Sequence, residues 1–183
     1  MIEDSDETLA LRAGQGCRAS FAMLLDRNYD RIYRTAWRFT GSRDRAEDIA
    51  QDVCVKLVSV IGSFRGDAKF TTWLHRVAYT TAQDNNRMSN RTAPVDPVEV
   101  VRLADVNQQQ DDAPDTSREG DSEALWDAVR TLPPQQRDAI LYVYGEQLSH
   151  AQTASVLGCS EKTVSWHIHE AKKRLKILLK AVS

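Results

Sequence analysis

The segment LGCSEKTVSWHIHEAKKRLK, residues 157–176, gathers a Cys, a Trp, two His and five Lys/Arg into a stretch with helical periodicity. Three chemistries compete for it: metal ligation, acid–base or nucleophilic catalysis, and contact with a large polyanion. At 100° per residue, His167 and His169 point about 200° apart and cannot chelate one ion together, as an i, i+4 pair would. Cys159 falls in a turn and reads as a small buried hydrophobe. No nucleophile, base and orienting acid converge, so neither a catalytic residue nor a metal ligand is expected. Taking Val164 as zero, Ile168, Ala171, Leu175, Leu178 and Leu179 fall within about 60° and form a buried seam. Lys162, His169 and Lys173 lie near the opposite pole, and Trp166 points outward at about 200°. The segment reads as a surface for something anionic.

The elements around it support that reading. SHAQTASVL forms a helix before the turn Leu157-Gly158-Cys159-Ser160. Ala154 is a small residue for a helix crossing, and Val164 a β-branched anchor beyond the glycine. Together they are the components of a helix-turn-helix. Upstream, EALWDAVRTL and QQRDAILYVYGE read as two further helices, with Pro133-Pro134 stopping one and starting the other.

The first half of the chain has its own helical pattern. Phe21, Leu24, Leu25, Tyr29, Ile32, Tyr33, Ala36 and Trp37 make one broad apolar stripe across residues 18–40. A second helix over 43–61 buries Ala46, Ile49, Ala50, Val53, Leu57 and Ile61. After the loop GSFRGDAK, a third carries Phe70, Trp73, Leu74, Val77, Ala78 and Thr81 on its core face and ends near Asn86. A weaker helix covers 6–14. The fold class is therefore all-α, with two small helical domains, residues 1–90 and 121–183, joined by a linker.

The linker, residues 91–120, loses all periodicity apart from a short helical pattern at 98–104. Its Pro, Asp, Gln and Ser content reads as a flexible tether. Fully extended, it would reach about 100 Å, nearly 30 base pairs of duplex. It also explains the charge. The 183-residue chain has a formal net charge of −2, yet the linker carries 3 basic against 7 acidic side chains while both flanks are slightly positive. An overall anionic chain thus leaves nucleic acid open as a partner.

With 42% hydrophobic and 27% charged residues, the composition is ordinary for a globular protein. No apolar run is long enough for a membrane span, and the acidic start MIEDSDETLA does not resemble a secretory signal. No membrane insertion is expected, and the expected location is cytoplasmic. Cys17, Cys54 and Cys159 suggest neither a disulfide framework nor a zinc knuckle.

Four pieces, in order, resemble those of extracytoplasmic-function (ECF) sigma factors, the two-domain class of bacterial RNA polymerase specificity subunits. They are RAEDIAQDVCVKL, FRGDAKFTTWLHRVAY, LPPQQRDAI and the helix-turn-helix running into AKKRL. The resemblance covers nearly all of 5–88 and 121–179. It implies a sigma region 2 domain and a region 4 domain, with no cofactor. It also implies RNA polymerase core (the beta and beta-prime subunits) and promoter DNA as partners, and in many relatives an anti-sigma factor that clamps the two domains.

On this resemblance, Asp48, Gln51, Asp52 and Val55 form the core polymerase-binding strip, acidic and partly apolar, suited to a basic helical hairpin. Phe64, Arg65, Lys69, Arg76, Tyr79 and Thr80 are the −10 DNA-binding candidates, because melted bases expose faces and edges to aromatic, cationic and polar groups. Packing is the main role expected of Phe70 and Trp73. Ser160, Glu161, Lys162, Ser165, Trp166 and His169 are candidates for −35 base edges or nearby phosphates. Lys172, Lys173 and Arg174 are candidates for phosphate. The sequence departs from many relatives at Thr80, where they often carry Asn. It also departs at Ser165, His167 and Glu170, where they often carry basic residues. Trp166 and Ile177, pointing outward, are alternatively suited to packing on the first domain or on an inhibitor. A conventional helix-turn-helix repressor accounts for the second domain alone.

Overall fold

A computed structural model of the chain describes residues 4–92 and 119–180, with side chains over 4–85 and 124–179. The expected tether and its 98–104 helix lie almost wholly outside the described residues.

Helix α1, Asp6–Gly14, starts at Ser5, whose side chain accepts the Thr8 N–H as an N-cap. Helix α2, Arg18–Thr40, ends at Gly41, whose left-handed φ of 62° terminates it. Helix α3, Arg43–Val60, runs into a single 3₁₀ turn at Ile61–Ser63. After a loop, α4 spans Phe70–Thr92, continuing about six residues past the expected helix end near Asn86. These four helices enclose one core, in which Leu9, Leu24, Ile32, Val53, Leu57, Phe70 and Leu74 are buried. The apolar stripes read from the sequence thus face one another. Tyr29 is the exception, lying at the exposed rim.

The second domain contains α5 (Glu119–Arg130), α6 (Pro134–Ile140), α7 (His150–Leu157) and α8 (Glu161–Lys180). Pro134 occupies the start of α6, where its missing N–H costs nothing. The sequence reading continues α6 as one helix to Glu146, but residues Leu141–Gly145 are π-helical. The widened turn buries Leu141 and Tyr142 completely. Ser149 and Gln152 form a reciprocal capping box at the start of α7. Gly158, with φ 68°, makes the turn into α8, and its N–H donates to Ala154 O. Val164, Ile168, Ala171 and Leu175 then pack on Val129, Ala139, Ile140 and Ala154. The buried seam of α8 ends there. Leu178 and Leu179, expected to continue it, are 38% and 39% exposed, because the core they would join stops at Leu175.

A third cluster joins the domains, with Tyr142, Leu148 and Val156 of the second packing against Phe39 and Tyr79 of the first. The seam is polar at its centre. Glu146 is buried to 8% side-chain exposure and receives Arg38 Nη1 at 2.7 Å. Its second oxygen lies 3.7 Å from His75 Nε2. Arg38 also donates to Gly145 O at 2.8 Å and lies over the Trp126 ring. Reciprocally, Arg137 of the second domain lies over Phe39 of the first.

Candidate functional surfaces

The surface of α3 carries the first candidate site. Asp48, Gln51, Asp52 and Val55 recur at helical spacing and are all exposed, while Ala46, Ala50, Val53 and Leu57 on the other side are buried. Val55 is 71% exposed, and Val58, one turn further along, is 65% exposed. Val58 adds to the residues expected from the sequence, and the signal that identifies it is the same as for Val55, an apolar residue off the buried stripe. Asp52 is tied to Asn85 of α4, whose amide donates to it at 2.6 Å. The strip is therefore acidic at one end and apolar at the other.

The second candidate site is the loop before α4 with the first turns of that helix. Arg65, Lys69, Arg76 and Thr80 are exposed. Residues 63–68 and Trp73 enclose a recess of about 140 Å³. Phe64 does not offer its ring to this surface. It is 6% exposed and meets Phe70 and Trp73 edge-on, with centroids 5.6 and 5.5 Å away. An aromatic in a glycine-containing loop reads as a free stacking platform, but here the loop folds the ring inward to complete the core. Tyr79 is half-buried between domains, edge-on to Tyr142, with its hydroxyl accepting from Gln83 and facing the buried Asp138 carboxylate. Burial first, and that carboxylate second, push the Tyr79 phenol above its ordinary pKa. In this arrangement its ring is not open to a base.

The third candidate site is the exposed face of α8. Glu161, Lys162, Ser165, Trp166 and His169 all reach the surface, with Trp166 57% exposed. Ser160 is largely committed to its own helix, since its Oγ accepts the Thr163 N–H at 3.1 Å and contacts the Thr163 hydroxyl. Ser165 Oγ lies 3.0 Å from His150 Nδ1, which bridges α8 to the start of α7. His167 and His169 point apart, as the angular reading requires. His169 is exposed, whereas His167 is buried, its Nδ1 has no hydrogen-bond partner, and burial lowers its pKa. Lys173 pairs with Glu170 at 3.0 Å, and Lys172 lies over the Tyr144 ring. Arg174 is exposed beside them, and Ile177, on the following turn, is 70% exposed. Trp166 meets the ring of His167, its neighbour on the same helix, edge-on.

The chain thus has two helical domains, the second a helix-turn-helix, with an outward acidic strip and a cationic loop on the first. Residues 24–92 match the family described as Sigma-70 region 2, and residues 122–175 match Sigma-70 region 4. The chain is 32% identical over 179 residues to the ECF RNA polymerase sigma factor SigM of Mycobacterium tuberculosis, covering 97% of this chain and 86% of that protein. It is 26% identical to the RNA polymerase sigma-H factor of Pseudomonas aeruginosa, covering 96% and 94% respectively. The chain belongs to the ECF sigma factor family. Its fold resembles that of CnrH, solved in complex with the cytosolic domain of CnrY, with a TM-score of 0.72 at 23% identity over 98% of this chain and all of that one. It also resembles the sigma factor RpoE of Bartonella quintana, solved with the anti-sigma factor NepR, with a TM-score of 0.65 at 21% identity over 87% and 96%. Among the described residues, no helix is long and apolar enough to cross a membrane.

Proposed function

We propose that this sigma factor binds RNA polymerase core through the α3 strip and directs promoter-specific initiation through separate −10 and −35 faces. An anti-sigma protein, as named with one of its structural neighbours, is the proposed regulator. The observation that carries the docking assignment is the exposure of Val55 and Val58 in line with Asp48, Gln51 and Asp52. Carboxylates set register against a basic hairpin while buried methyl groups contribute affinity, a combination suited to β′.

For the −10 strand, Arg65, Lys69, Arg76 and Thr80 supply cationic and polar contacts, and the recess of loop 63–68 supplies a site for an unstacked base. Phe64 contributes by holding Trp73 and the recess wall, and Tyr79 can join only where the domains part. For the −35 duplex, Glu161, Lys162, Ser165, Trp166 and His169 enter the major groove, with Ser160 capping the helix that carries them. Lys172, Lys173 and Arg174 neutralise phosphate. The exposed Trp166 and Ile177 suit the apolar contact of an inhibitor or of the β subunit.

The deciding experiment adds the purified chain to polymerase core lacking its own specificity subunit and maps transcript 5′ ends. Reproducible starts at a defined sequence support the proposal, whereas DNA binding that blocks transcription without directing it assigns the chain a repressor's role.

A further inference from the structure

Helix α1 does more than close the core. Three residues on one of its faces, Glu7, Leu11 and Gly14, are spaced i, i+4 and i+7 and meet three successive points of the segment from residue 62 to residue 70. At Gly14, an added Cβ would lie 3.2 Å from Ile61 O and 3.3 Å from Gly62 Cα, so the two backbones touch where the loop begins. One turn earlier, the Leu11 side chain stands over Gly66, which has φ 80° and would bring a Cβ 3.9 Å from Leu11 Cδ1. At the far end, Glu7 Oε1 accepts the Phe70 N–H at 3.0 Å. The loop thus runs antiparallel along α1 from Gly62 through Gly66 to Phe70, and it is fixed at both ends, with Leu11 close to its middle.

The contact at Glu7 has the character of a helix cap supplied from 63 residues away. Phe70 is the first residue of α4. The Phe70 N–H, which precedes the first amides that find a backbone acceptor in Lys69 O, those of Thr72 and Trp73, is one of the donors that a helix leaves without an internal acceptor, and a carboxylate is the favoured partner at this positive end. The Glu7 carboxyl is held below its ordinary pKa, chiefly by this hydrogen bond, with the Lys69 ammonium adding to the effect. Glu7 therefore sets the first backbone unit of α4, directly after Lys69. Arg65 lines the recess and Lys69 immediately precedes Phe70, so the placement of both follows from where α1 holds the loop.

We propose that α1 is the positioning rail of the loop that reads the melted −10 strand, and that Glu7 is its positioning residue. This rests on the −10 assignment made above. A residue that merely stabilised the domain would lower its thermal midpoint and leave promoter discrimination alone. A positioning residue changes discrimination.

The test uses the full chain assembled with polymerase core on a promoter mapped from its own transcripts, compared with the same promoter carrying single-base changes in the −10 element. Glu7→Ala is expected to reduce the preference for the intact element about fivefold, the scale of one lost helix cap. It should also speed deuterium exchange at the Phe70 amide while leaving core affinity unchanged. Glu7→Gln, which keeps an acceptor, should restore part of both effects and serves as the reference if the alanine variant folds poorly. Unchanged discrimination and exchange in Glu7→Ala, with Arg65→Ala and Lys69→Ala impaired, would overturn the rail and leave the −10 assignment standing. If Arg65→Ala and Lys69→Ala also leave discrimination intact, the −10 assignment falls and the role of Glu7 in reading falls with it.

Discussion

His75 is neutral in the seam because burial removes the water that would stabilise its charge, and Arg31 on α2 adds repulsion. Glu146, across the seam, pulls the other way, and the net result is a pKa below the ordinary 6.5. The Glu146 carboxylate is already paired with Arg38, also from α2, and so compensates an imidazolium beside it only in part. An unfolded chain takes up the His75 proton at a higher pH than the folded one. Stability is therefore fully present above 6.5 and is lost as pH falls from there towards the folded value. The thermal midpoint followed by calorimetry from about pH 7.5 to about pH 5.5 should decline, and His75→Gln should flatten part of the decline. His167, shifted in the same direction, accounts for a further part. An unaltered pH profile in His75→Gln would mean that the imidazole is not held neutral there. Lys172 and Lys173 pose a different question, since each already has a local partner in Tyr144 or Glu170. Both partners are solvent-accessible and weak, so phosphate can displace them. Replacing both lysines by alanine should weaken binding to duplex promoter DNA and reduce the log–log salt slope by about 2.

At the scale of elements, the turn between α7 and α8 fixes how the recognition helix leaves the core. Gly158 has open space where a Cβ would stand, so the difficulty there is conformational and not steric. Its φ of 68° makes Gly158→Ala destabilising by about 1 kcal/mol, measurable by urea unfolding as a lower midpoint with an unchanged slope. Helix α3 is the converse case, since its exposed face, the proposed docking strip, contributes little to the fold. Reversing charge at Asp48 and Asp52 should leave the midpoint nearly unchanged, apart from the lost Asn85 contact, and weaken capture of polymerase core several-fold. Equal capture by the variant would remove the docking assignment from this face. These elements were largely legible because their information is local: stripes at helical spacing, a glycine where the chain turns, prolines where a helix starts. The loop of residues 63–69, proposed to read the −10 strand, was less legible. Whether an aromatic in a loop faces solvent or core depends on the neighbours brought to it, and Phe64 turns inward because Phe70 and Trp73 offer it two ring faces. Likewise, the periodicity of α8 continues to Leu178 and Leu179, whereas the core beneath it does not.

The arrangement of the whole molecule was the least legible feature, because the polar centre of the seam is built from residues that look like ordinary helix surface. Arg38 and Glu146 are separated by 108 positions, and neither has a sequence neighbour that reveals the pairing. Two glycines allow the close approach. A Cβ on Gly41 would stand 2.7 Å from Arg130 Nε, and one on Gly145 would stand 2.9 Å from Trp126 Cη2 and 3.5 Å from Arg38 Nη1. Gly145 has no positive φ, so Gly145→Ala tests contact alone. The added methyl must displace the Trp126 ring and with it the Arg38 guanidinium, which holds Glu146 in place. Arg38→Ala acts on the same assembly, leaving a buried carboxylate facing only a neutral imidazole, and should cost about 2 kcal/mol. Because the two substitutions share partners, the double variant should lose less than the two single losses combined. Each domain keeps its own core in these variants, so helical circular dichroism should be preserved while X-ray scattering shows a larger radius of gyration. Calorimetry should resolve the single unfolding transition expected of the native chain into two. An unchanged radius and one undivided transition in the double variant would show that these contacts are incidental to the association of the two domains.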